Sequence, residues 1–291
     1  MERVSGVSCA VGESPLWHAA EGAWYWVDIP ARRVWRLDAS SGVARFWSTN
    51  EMAACIAASA GGGLIAGMET GIFSLTLGES EAAAEHTLAA PAEGLGPGLR
   101  FNDGRCDRQG RFWAGTMFMD MSAARPDGKL FRYDAQGISP PMVSELVTQN
   151  GLAFSPDGRI MYLSDSHPSR RIVWTFDYDA DAGVPHSRRV FADMSNQTGR
   201  PDGAAVDADG CYWVCGNDGG YIVRFTPDGR EDRRLQVPML KPSMCAFGGK
   251  DLDTLIVTSI ASGKPEDAEF GGAVILLRPG VQGVAETPFK A

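Results

Sequence analysis

No apolar run in this chain approaches the roughly 20 residues a membrane-spanning helix needs. The first residues, MERVSGVSCAVGESPLWH, lack the basic-then-apolar order of a secretory signal. A cytoplasmic protein with no membrane partner is expected. Positive charge is scarce: 27 Lys and Arg face 36 Asp and Glu, a net charge of -9. That balance argues against a nucleic-acid surface, which needs a basic patch. The six cysteines are scattered with no C-x-x-C pair, so a thiolate zinc site is not expected and small buried thiols in a reducing compartment are. The four histidines form no H-E-x-x-H pattern. G-x-S-x-G, Walker and dinucleotide fingerprints are missing too, which disfavours the α/β serine hydrolases and the nucleotide binders.

What the chain has in quantity is turns. Its 35 glycines and 17 prolines separate short segments rich in Val, Ile, Trp, Tyr and Phe, and no long amphipathic helix stands out. The Ala- and Glu-rich stretch Gly78–Pro91 reads as a loop or hairpin. The class is all-β. One strand type recurs after a Gly turn: Trp24–Asp28, Leu64–Gly67, Arg111–Gly115, Ile160–Asp165, Cys211–Cys215 and Thr254–Thr258. A second follows at Val34–Asp38, Ile72–Thr76, Leu130–Asp134, Ile172–Asp177, Ile222–Thr226 and Ala273–Arg278. Six copies at a spacing of roughly 40–50 residues have the period of a propeller blade. The expectation is a six-bladed β-propeller of four-stranded antiparallel blades, one domain over residues 1–291, with a terminal segment completing the last blade.

The repeat also places polar residues in register. Glu13 lies nine residues before Gly22, while Asn102, Asn150 and Asp202 each lie eight before Gly110, Gly158 and Gly210. The same offset gives Ala54 before Gly62 and Lys241 before Gly249. The first strand of a blade lines the channel, so four oxygen-bearing side chains converge on one axis. Such a set suits a hard or borderline divalent cation. Each alternative reading of these residues is a turn signal: Asn150-Gly151 and Pro201-Asp202-Gly203 both resemble one. The common register favours the site. Arg100, two residues from Asn102, shares its strand face and brings several donors. Asp103 is expected to point away, into structural hydrogen bonds. The run DYDADAG (177–183) imitates a calcium loop, but the glycine is one residue late and position twelve is Arg188, so it reads as a turn. His18 and His167 are candidates for the channel mouth, with surface or core placement the default for each.

In GESPLW, RFNDGRCDRQGRFWAGTM, QNGLAFSPDGRIMYLSDS, RPDGAAVDADGCYWV and KPSMCAFGGKDLDTLIVTS, taken in this order, the chain resembles the regucalcin and gluconolactonase (senescence marker protein) family over nearly its whole length. The resemblance implies a six-bladed propeller that hydrolyses sugar-acid lactones with one divalent metal. It implies Glu13, Asn150 and Asp202 as metal ligands, Arg100 and Asn102 as substrate contacts, and Asp120 as an acidic substrate contact. Asp202 is the expected catalytic base, with a metal-bound hydroxide as nucleophile the alternative. Calcium, manganese, zinc and ferrous iron all suit the donor set. The expected partner is a small sugar lactone (glucono-, xylono-, arabino- or galactonolactone), and the expected state is a monomer. A related propeller esterase or organophosphate hydrolase, and a non-catalytic calcium-binding propeller, are the competing readings.

Overall fold

The computed structural model describes residues 1–78, 85–91 and 95–290. Six antiparallel sheets follow one another along the chain as the blades of a propeller, here blades I to VI. Their innermost strands are Gly12–His18, Cys55–Ala58, Leu99–Cys106, Gln149–Phe154, Arg200–Val206 and Pro242–Gly248. The expected second strands appear as Ala23–Asp28, Leu64–Gly67, Phe112–Phe118, Ile160–Asp165, Tyr212–Asn217 and Thr254–Ser259. The only helical turns among the described residues are two three-residue 3-10 segments, Met121–Ala123 and Pro265–Asp267. Gly78–Pro91 resolves in part: its end, Glu85–Pro91, is the outer strand of blade II, and residues 79–84 lie outside the described residues.

The turn that the repeat announces has a physical reason. Asp107 Oδ1 accepts from the backbone N–H of Gln109 and Arg111, and Asp207 Oδ1 does the same for Asp209 and Cys211. The second oxygen of each carboxylate then accepts from an indole one strand over, Trp113 or Trp213. Each Asp thus pins a hairpin and an aromatic core residue together. The glycine of the turn sits at positive φ (90° for Gly110, 81° for Gly210), which other residues adopt only at a cost. Fully buried Trp26, Trp47, Trp113 and Trp213 fill the space between blades.

Closure is made by the N-terminus. Glu2–Arg3 pairs with Ile275–Leu277, so blade VI combines the last three strands with the first. Residues 281–290 then run across the hairpin end of the ring. Gln282, Phe289 and Lys290 exchange backbone hydrogen bonds with Ala208, Ala58 and Gly110, on blades V, II and III.

Candidate active site

Call the end where the inner strands begin the upper end of the channel. There, five of the six inner strands slip register against their neighbours by one residue, after Glu13, Phe101, Asn150, Pro201 and Pro242. Blade II pairs without a slip. A bulge re-aims side chains and frees them from the strict alternation of a strand. Glu13, Asn102, Asn150 and Asp202 all lie at these slips, as their common offset implies. Blade VI corrects the offset. Its hairpin is longer, closing between Gly248 and Thr254, so the residue in register with Asp202 is Ser243 and not Lys241. Ser243 Oγ donates to Gly12 O and meets Thr258 Oγ1 at 2.9 Å.

Glu13, Asn150 and Asp202 are buried together. Burial raises the Glu13 carboxyl well above its ordinary range, and the charges of Asp202 and Asp103 push it further. Asp202 is raised to about 7, chiefly by burial, against the pull of Arg200 and a hydrogen bond from Asn217. Asn217 Nδ2 donates to Asp202 Oδ2 at 2.6 Å. Asn150 Nδ2 donates to Ser166 Oγ at 2.9 Å, which leaves Asn150 Oδ1 buried with no partner. Two carboxylates that resist ionising and one unpartnered amide oxygen are polar demands that the protein itself leaves unmet. Among the described residues no three of His, Cys, Asp and Glu form a metal-binding group by themselves. The set is two carboxylates and an amide, which suits an oxygen-seeking divalent ion.

Arg100 Nη1 donates to Asn102 Oδ1 at 2.9 Å, and Asn102 Nδ2 to Gln149 O at 2.7 Å, which ties blade III to blade IV beside the site. Asp103 does take a structural bond, from Leu152 N at 2.8 Å. It does not leave the site, however: its charge acts on both Glu13 and Asp202, and its Oδ1 is buried without a partner. Strand alternation fails as a guide there because Asp103 sits inside the bulge. Asp120 is exposed and caps the 3-10 turn Met121–Ala123 by accepting from Ser122 N and Oγ. His167 stands at this upper rim, with Nε2 3.1 Å from Met121 O. His18 does not, because it ends its inner strand and lies at the lower end of the channel. Asn217 was not singled out in the sequence; the GND turn after CYWVC carries no repeat signal that would have found it.

The lower half of the channel is a different place. It holds a cavity of about 460 Å³ lined by residues such as Leu16, His18, Ala57, Cys106 and Met244, floored by residues 285–288. Arg105 Nη1 meets Glu286 Oε1 there at 2.7 Å. All six cysteines are free and buried, in keeping with a packing role.

Fold and site define a propeller enzyme of the sugar lactone hydrolase class. Residues 11–261 match the SMP-30/gluconolactonase/LRE-like region, and the chain belongs to that family. It is 37% identical to a 6-deoxy-6-sulfogluconolactonase of Pseudomonas putida, over 96% of this chain and 94% of the relative. It is 30% identical to a pentonolactonase of Haloferax volcanii, over 99% and 97%. Among solved structures, a calcium-binding protein, regucalcin, from Agrobacterium tumefaciens superimposes with a TM-score of 0.91 at 26% identity, covering 100% of this chain and 97% of that one.

Proposed function

We propose that this protein opens a sugar-acid (aldono-) lactone to the aldonic acid, using one divalent cation held by Glu13, Asn150 and Asp202. The observation that carries the reading is the buried pair Glu13 and Asp202 beside the unpartnered Asn150 Oδ1. Two negative charges match one divalent ion, and the neutral amide leaves that ion electron-poor. When bound, the cation supplies Lewis acidity at the lactone carbonyl. Lactonases among the relatives support the substrate class, and the calcium-binding neighbour supports the cation.

The chain's own groups do the rest. Asp202, oriented by Asn217, takes the proton from the attacking water. The water oxygen bonds to the carbonyl carbon, the ring C–O bond breaks, and the ring oxygen leaves as a hydroxyl once protonated. Arg100 and Asn102, locked to each other, orient the ring oxygens. Asp120 holds Ser122 through Oδ1, so Oδ2 is the oxygen it offers a substrate hydroxyl. Neutral five- and six-carbon lactones (glucono-, xylono-, arabino-, galactono-) are the substrates to test first, with calcium, manganese, zinc or ferrous iron as the ion. We place the enzyme in the cytoplasm as a monomer, folded as one unit over residues 1–291.

The test is proton release on a lactone panel by chelated protein, with each cation restored in turn. Cation-restored opening of one lactone above its spontaneous rate is the expected result. Tight cation binding with no turnover would replace the enzyme by a binding protein, and turnover of non-sugar esters alone would move it to the related esterases.

A further inference from the structure

The inner strands carry a second ring, two residues ahead of the polar one. In blades I to VI this position is Val11, Met52, Arg100, Thr148, Arg200 and Lys241. The register confirms the match for the three cations. Arg100 pairs with Met117 and Arg200 with Asn217, while Lys241 O accepts from Ile260 N, each one step above the slip. Within this ring, positive charge therefore falls in blades III, V and VI alone. The offset that returned Lys241 before Gly249 had found a member of this ring.

The charges are balanced on one side and not on the other. Arg100 faces the charges of Glu13 and Glu69. On the opposite side Arg200 and Lys241 share one carboxylate: Arg200 Nε meets Asp218 Oδ2 at 2.9 Å and Lys241 Nζ meets Asp218 Oδ1 at 3.3 Å. Two cations on one acid leave about one positive charge in excess. Arg200 is held in place by two further bonds, to Asn217 Oδ1 at 3.1 Å and Ser166 O at 3.4 Å, so three of its five N–H groups are engaged. Lys241 makes one ionic contact with an ammonium that has three donors, and its side chain is 26% exposed. This cluster adjoins the site, because Asn217 bridges the two: its Oδ1 accepts from Arg200 Nη2 and its Nδ2 donates to Asp202 Oδ2. A chain of net charge -9 does not place two cations on one carboxylate by default.

Resting on the lactonase reading, we infer that the preferred substrate carries a second anionic group, carboxylate or sulfonate, at the end remote from the lactone carbonyl, and that Lys241, backed by Arg200, receives it. A charge-assisted hydrogen bond rewards an anion there over a hydroxyl. The ammonium is a point charge with no planar demand, so it accepts either acid. Ring opening consumes one water, forms one carboxylate and releases one proton, so the product is a dianion.

The experiment compares three lactones of one sugar, with the terminal carbon bearing hydroxyl, carboxylate or sulfonate, on the cation-loaded full-length enzyme. The wild type should favour at least one acidic lactone over the neutral one by tenfold or more in kcat/KM, with the difference in KM. Lys241→Met should collapse that ratio towards one, and Lys241→Arg should restore most of it. Added salt should shrink the ratio in the wild type and leave it unmoved in Lys241→Met. Equal use of all three lactones by the wild type overturns the inference and leaves the lactonase standing. So does a Lys241→Met variant that keeps the ratio. Failure to open any of the three overturns the lactonase reading and this one with it.

Discussion

At the upper end of the channel, Glu13, Asn150 and Asp202 crowd together with unmet polar demands; at the lower end the same inner strands present Leu16, Ala57 and Cys106 to a largely apolar cavity. The strands differ because the upper end is bulged and the lower end is regularly paired. The covering differs as well. Residues 281–290 cross the lower opening, and their Glu286 neutralises Arg105. One end spends its charges on each other for stability. The other keeps carboxylates that repel, a strain that the proposed cation and substrate would relieve.

The largest effect should come from emptying the upper end. Chelation should abolish lactone opening, and restoring a divalent cation should raise the melting temperature, more at pH 8 than at pH 5. The sign follows from the carboxyls. Asp202 is raised from an ordinary 3.8 to about 7, so in cation-free protein the folded state holds the proton more tightly than the unfolded. Its contribution to stability is complete below pH 3.8 and is lost as pH rises through about 7. Glu13 shifts in the same direction. Cation and protons compete for the same oxygens, so the gain from the ion grows with pH. Thermal scans with and without ion at both pH values check this, and a gain that shrinks with pH would contradict it.

Next in size, Asp202→Asn should lower kcat by about 10³-fold while leaving the circular dichroism of the fold intact. Near-normal turnover would remove Asp202 from the role of base. At the lower end, Glu286→Gln should leave kcat nearly unchanged. It should destabilise the protein by about 2 kcal/mol in urea titration, since Arg105 loses its counter-charge while Glu286 had kept 24% exposure. A large loss of turnover in that variant would erase the division between the two ends. The smallest effect belongs to the rim: Asp120→Ala should cost the local turn about 1 kcal/mol and change kcat/KM by less than about tenfold, mostly through KM.

Much of this was legible without coordinates. The strands after each Gly turn fall where the repeat puts them, within two or three residues at their ends, and DYDADAG is the turn between Ile172–Asp179 and Val184–Asp193. Counting back from a glycine put Glu13, Asn102, Asn150 and Asp202 in one register, and the family resemblance singled out Glu13, Asn150 and Asp202 as ligands. Counting failed in blade VI, where a longer hairpin shifts the frame from Ser243 to Lys241. Asp103 takes the structural bond expected of it, from Leu152 N, yet it sits inside a bulge and its charge still acts on Asp202.

The sequence by itself determined the blade count and the axial register, because a 40–50-residue repeat leaves few ways to bury its apolar strands other than in a ring. It also determined the oxygen character of the site. The tertiary structure alone decided which terminus closes the ring, since pairing of Glu2–Arg3 with Ile275–Leu277 is a contact no local pattern encodes. It alone decided that Asn217 steadies Asp202, that His18 belongs to the lower end, and that Arg200 and Lys241 share Asp218. Those facts depend on distances between residues far apart in the chain, and a sequence specifies such distances only by folding.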